Sequence, residues 1–148
     1  MKSIVHWIFF VLAMASTVFA GENLKLNPNL DFNSDSQDGP LIRGDKMDAG
    51  FVPGKPAYVI MYGEACFNSK RQARRTVDLY AAHKGQVQFI IIDIDGYLSR
   101  EQRALKKQYF QGRIPHVLVL DRSGNPLYNR AGEVDSAVIS RLLDQALR

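Results

Sequence analysis

Cys66 is the only cysteine in a chain of 148 residues, and its neighbours are those of a reactive sulfur. It lies in the stretch Tyr62-Gly63-Glu64-Ala65-Cys66-Phe67-Asn68-Ser69. The apolar run before it, Ala57-Tyr58-Val59-Ile60-Met61, reads as a buried strand by its β-branched and aromatic content. Lys70 to Lys84 reads as a helix closed by Gly85. The sulfur is thus expected where a strand turns into the first turn of a helix. Free N–H groups and the positive end of the helix dipole favour a thiolate there, and Lys70 and Arg71 add positive charge. With Cys66 at the N-cap, Ser69 falls at N3, where its N–H and hydroxyl can point back at sulfur. A hydroxyl can donate to a thiolate but cannot attack a mixed disulfide. The competing reading is a buried structural cysteine, cysteine being among the most buried residue types. A position at a helix start rather than mid-strand argues against it.

The elements that must position this sulfur follow from the rest of the chain. Length allows one domain with a real core. Residues 1–20 differ from the remainder: Lys2, the apolar run Ile4 to Val11, then Val18-Phe19-Ala20. That order predicts a secretory signal peptide removed after Ala20, and hence an exported protein, periplasmic or secreted, with no stable membrane insertion after cleavage. An uncleaved anchor is the alternative, because Ile4 to Ala20 approaches spanning length. The cleavage pattern favours removal. In an exported chain, a single cysteine suggests intermolecular pairing or a functional free thiol, including a disulfide-linked dimer through Cys66.

Without Lys2 the 19 basic residues become 18 against 15 acidic ones, a formal charge of +3, too small an excess to imply nucleic-acid or membrane partners. The denser run Lys70-Arg71-Gln72-Ala73-Arg74-Arg75 lacks interleaved aromatics and reads as a solvated helix face. No cofactor or metal site is expected. Asp31-x-Asn33-x-Asp35 begins like a calcium loop but has Ser36 at the glycine position and Ile42 at the bidentate position. Asp93 and Asp95 lack further ligands at useful spacing.

Residues 21–55 are polar and rich in turns, and predict an extended N-terminal arm with one short strand. In the helix after Cys66, Ala73, Val77, Tyr80 and Ala81 share a face. Val87 to Ile94 is nearly all apolar, as expected of a parallel strand covered on both sides. Ser99-Arg100-Glu101-Gln102 is a capping box for a second helix reaching about Gln111. A strand at His116 to Leu120, a turn, a strand near Leu127 to Ala131 and a helix capped at Asp135 or Ser136 complete the chain. This order is α/β.

The strand, the Glu-x-Cys-x-x-Ser-Lys sequence and the later Gly112-Arg113-Ile114-Pro115-His116-Val117 together resemble the thioredoxin family. The resemblance covers roughly residues 56–148. It implies a central mixed sheet of about four to five strands flanked by helices, with Cys66 as the attacking cysteine and Ser69 in place of the resolving one. It also implies a cis bond before Pro115, with Ile114 supplying backbone groups beside the thiol and Pro115 holding them. On the residues alone, a trans proline at a strand start is the default reading. His116 is expected to be structural, because alternation turns it away from Ile114. Ala65 stands in place of the family's tryptophan and Ile60 in place of its buried acid. The expected function is thiol–disulfide exchange by one cysteine, through mixed disulfides with protein thiols or disulfides or with glutathione. The alternative is a redox-inactive binding module that grips an extended peptide in the groove by Pro115.

Overall fold

The computed structural model describes residues 20–148, so the expected signal peptide lies outside the described residues except for Ala20. The elements in order are β1 (Glu22–Leu26), β2 (Ile42–Asp45), β3 (Ala57–Tyr62), α1 (Phe67–His83), β4 (Gln88–Asp93), α2 (Arg100–Tyr109), β5 (His116–Leu120), β6 (Pro126–Ala131) and α3 (Ser136–Ala146). The main sheet has four strands in the order β4-β3-β5-β6. β3 pairs parallel with β4 and antiparallel with β5, and β5 pairs antiparallel with β6. This is the expected α/β architecture with a mixed sheet.

Every residue of β3 is buried, because the sheet is covered on both faces. Alternation sorts its side chains into two cores. Tyr58, Ile60 and Tyr62 join Phe89, Ile91, Val117 and Val119 on the face that also holds Ala73 and Leu79 of α1 and Ile139 and Leu143 of α3. Ala57, Val59 and Met61 join Ile90, Ile92, Leu118 and Leu120 on the other, where Leu105 and Tyr109 of α2 pack. At about 1.5–3 kcal/mol for each fully buried aliphatic side chain, these layers fix β3 and the start of α1.

The segment 21–55 is not an extended arm. β1 and β2 pair antiparallel into a two-stranded sheet of their own. Leu24, Leu41 and Ile42 sink into the core on the α1 face, and Leu41 N–H donates to the Tyr62 hydroxyl at 3.1 Å. The scattered apolar residues of this region showed no period because only a few of them face inward. Gly44 is required where the two strands approach: a Cβ there would lie 2.6 Å from the Glu22 carbonyl oxygen.

The inward face of α1 also differs from the sequence reading. Ala81 is exposed, while Ser69, Lys70, Gln72, Thr76 and Leu79 are buried with Ala73. Polar groups on this face other than the Ser69 hydroxyl find partners. The Tyr58 hydroxyl and Thr76 Oγ1 lie 2.8 Å apart, and Gln72 Nε2 donates to the Tyr58 oxygen at 3.3 Å. Burial pushes the Tyr58 hydroxyl up to about 12, so it stays protonated. The Ser99 capping box is present in full and starts α2 as expected. Among the described residues no helix is long and apolar enough to cross a membrane.

Candidate functional site

The half-buried Cys66 is the N-cap of α1, with extended backbone at φ −81° and ψ 117°. Its N–H donates to the Gly63 carbonyl at 3.2 Å, closing the turn that leaves β3, and its carbonyl accepts from Lys70 N–H at 3.1 Å. The turn forms here because Gly63, with no side chain, admits a close neighbour. A Cβ on Gly63 would lie 2.5 Å from Ile114 Cδ1, so the Ile114 side chain rests directly over the turn.

Ile114 and Pro115 come together with Cys66 in space. The Ile114–Pro115 peptide bond is cis. Sγ of Cys66 lies 4.0 Å from the Ile114 carbonyl oxygen, in a geometry that lets the thiol donate weakly. The Pro115 carbonyl is already engaged, accepting from Gly132 N–H at 2.7 Å. His116 is fully buried and turned into the sheet, its Nε2 2.6 Å from Asn129 Oδ1 and its ring edge-on to Phe110. It takes no part in the site, as alternation along β5 requires.

Ser69 does not do what its spacing suggested. It is fully buried, and its Oγ has no hydrogen-bond partner, the sulfur of Cys66 included. Nor does Cys66 Sγ accept a capping hydrogen bond from an amide of the first turn.

Lys70 is a second correction. It was expected on a solvated face lending charge to the thiol, yet its side chain is wholly buried. Its ammonium pairs with Asp38 at 2.6 Å and donates to the Asp31 carbonyl, the Ser34 carbonyl and Ser36 Oγ at 3.0, 3.1 and 2.8 Å. The bond from Lys70 holds the Asp38 carboxyl down to about 2. Arg71 is also occupied: it pairs with Glu133 and stacks 4.3 Å from the Phe67 ring centroid. Arg75 reaches the same Glu133 at 2.7 Å. Both helix cations expected to act on Cys66 therefore have carboxylate partners of their own.

The residues 31–38 form a clasp over the start of α1. Asp31 Oδ1 accepts from Asn33 N–H at 2.8 Å and Asp31 Oδ2 from Ser34 Oγ at 2.5 Å, a local turn rather than a calcium loop. Asp35 Oδ1 accepts at 2.7 Å from Phe67 N–H, the amide joined directly to Cys66. Gln37 Nε2 donates to Glu64, and Arg74 lies 3.8 Å over the Phe32 ring. Asp35, Gln37 and Asp38 were missed in the sequence. The one local signal was the spacing of acids from Asp31 to Asp35, and it pointed to a metal.

Behind the turn, Glu64 N–H donates to Asp95 Oδ2 at 2.8 Å, and Asp95 N–H donates to Asp93 Oδ1 at 3.0 Å. Burial, with the proton shared towards Glu64 and the nearby Asp95 charge, raises the Asp93 carboxyl to about 7. Among the described residues no group of three His, Cys, Asp or Glu side chains is placed to hold a metal ion.

No family model matches the chain, and no curated protein matches it in sequence. Solved structures do match in shape. The chain is similar to thioredoxin-2, a component of the malaria parasite protein secretion machinery, with a TM-score of 0.51 and 13% identity over 62% of this chain and 82% of that one. It is similar to a malarial protein with a TM-score of 0.52 and 14% identity, over 64% of this chain and 99% of that one. Chloroplastic thioredoxin z matches with a TM-score of 0.51 and 18% identity, over 63% and 79% of the two chains. At such identities the likeness speaks of fold, and together with the strand order it establishes that the chain has a thioredoxin-like fold.

Proposed function

We propose that the protein carries out thiol–disulfide exchange with Cys66 as its sole reacting group. The observation that carries this reading is the placement of a half-exposed thiol at the N-cap of α1, with the Ile114 carbonyl 4.0 Å from the sulfur. The Cys66 thiolate attacks one sulfur of a substrate disulfide, forming a mixed disulfide and expelling the other sulfur as a thiolate. Ser69 has no sulfur with which to break that bond. An outside thiol such as glutathione must attack the mixed disulfide, releasing Cys66 and taking the substrate sulfur with it. A second outside thiol then frees the substrate as a thiol, and two outside thiols leave as one disulfide. Partners on this reading are protein thiols or disulfides, or glutathione, met after export to the periplasm or beyond.

A second reading rests on the backbone beside the sulfur. Among the described residues the Ile114 carbonyl accepts from no backbone amide. An extended peptide could pair there without any redox step, which would make the protein a binding module.

A disulfide-reductase assay with and without added glutathione separates the two. Wild type should turn over only when glutathione is present, and Cys66→Ser should not turn over at all. Ser69→Cys should release substrate without glutathione: the new sulfur at position 69 attacks the mixed disulfide, and an added dithiol such as dithiothreitol reduces the resulting bond between positions 66 and 69 for the next turnover. Equal behaviour of wild type and Cys66→Ser under every condition would leave the binding module.

A further inference from the structure

We propose that Asp35 is a specificity-determining residue of the thiol site, held there by Lys70, and that it makes Cys66 prefer cationic disulfides over anionic ones. The inference rests on the thiol-exchange reading and adds to it the charge class of the substrate. Asp35 comes from a segment more than thirty positions earlier in the chain, yet its Oδ1 accepts at 2.7 Å from Phe67 N–H, the first amide of α1. That amide is where a helix would otherwise offer its positive end to an incoming anion. A fixed carboxylate occupies it instead. The placement is built rather than incidental, because the same segment is locked to α1 by a wholly buried ammonium. Lys70 bonds to Asp31, Ser34, Ser36 and Asp38, the residues on either side of Asp35.

The other charges about the sulfur leave this effect standing. Lys70 is paired with Asp38, and Arg71 and Arg75 are paired with Glu133. Glu64, in the turn before Cys66, adds to the negative side. Arg113, next to Ile114, is exposed and opposes it. Asp35 itself is exposed, so water screens it, and its influence is modest for each charge on the substrate. Two charges taken to be roughly 7 Å apart in water interact by about RT, so one charge changes a rate by about threefold per unit of probe charge.

The test measures the rate at which Cys66 forms mixed disulfides with cystamine, 2-hydroxyethyl disulfide and dithiodiglycolate, by intact mass. Each rate is divided by that of the same probe with N-acetylcysteine amide. Cystamine carries two positive charges and dithiodiglycolate two negative ones. Counting only the charge on the half whose sulfur Cys66 attacks, plus one against minus one, the corrected cystamine rate in wild type should exceed the corrected dithiodiglycolate rate by about tenfold. The preference should shrink in high salt. Asp35→Asn keeps an acceptor for Phe67 N–H and removes the charge, and should reduce the ratio about tenfold, to near one. Lys70→Met frees the segment and should lower the ratio as well; if the segment stayed, loss of a cation would raise it. A ratio near one in wild type, or one unchanged in Asp35→Asn, overturns the role of Asp35. A ratio raised in Lys70→Met overturns the anchoring. If no probe reacts with Cys66 in any form of the protein, thiol exchange itself fails.

Discussion

Replacing Asp93 by asparagine should remove a pH-dependent weakness from the structure. Asp93 sits at the end of β4, and burial first, then the bond shared with Glu64 and the charge of Asp95, raises its carboxyl to about 7. An unfolded aspartate ionises near ~4, so the native state holds an extra proton between ~4 and the raised value. Stability from this group therefore falls as pH rises through that window and is fully lost above it. A displacement of that size corresponds to ~4 kcal/mol. Because Asp93 is only half-buried, solvent screening cuts the figure to ~2 kcal/mol. Between pH 5 and pH 8 the larger part remains to be lost, roughly 1 kcal/mol. Asparagine can still accept from Asp95 N–H but cannot ionise. Urea denaturation followed by circular dichroism should show Asp93→Asn gaining on wild type by that amount across the window. A difference that is flat with pH, or that shrinks as pH rises, would show that the Asp93 carboxyl is not raised in the folded state. Asp31, Asp38 and Asp121, whose carboxyls are lowered, act below this window and leave the comparison clean.

Three further outcomes follow from the same contacts. Gly44→Ala should cost about 1–3 kcal/mol in thermal or chemical denaturation, because its Cβ would meet the Glu22 carbonyl oxygen at 2.6 Å and backbone cannot give way as a side chain does; an unchanged midpoint would refute it. Lys70→Met should expose residues 31–38 to limited proteolysis while leaving β3 and β4 resistant; protection equal to wild type would show that the clasp does not depend on the ammonium. The bond between Asp38 and Lys70 should survive mild acid, since a lowered carboxyl contributes stability above its unfolded value and loses it only as pH falls through about 2. An NMR titration showing Asp38 protonating near ~4 would contradict this.

How far the site could be read beforehand depended on how local its causes are. The strand before Cys66, the helix after it and the Ser99 cap are set by residues within a few positions of one another. Period and capping chemistry carry such features plainly. Ile114 and Pro115 could be brought to Cys66 only through the resemblance, since nothing in their own neighbourhood names a contact 48 positions away. Lys70 was misread for the same reason. A lysine in a basic run looks solvated until a carboxylate from elsewhere buries it, and Asp38 lies beyond the reach of any helical period. Residues 21–55 looked like an arm because β1 turns only Leu24 fully inward, so alternation had too few apolar residues to register. Ser69 shows the limit from the other side: its spacing was right for the sulfur, but spacing does not fix which way a hydroxyl turns.

On the proposed reading, Cys66 reacts and cannot resolve what it forms. The most direct measurement is intact mass of the wild-type protein, reacted with a neutral model disulfide, freed of excess reagent and followed over hours before and after glutathione is added. The expected result is a single adduct that persists until glutathione arrives and then disappears, with Cys66→Ser unmodified throughout. Absence of any adduct, or an adduct that clears without an added thiol, would contradict it.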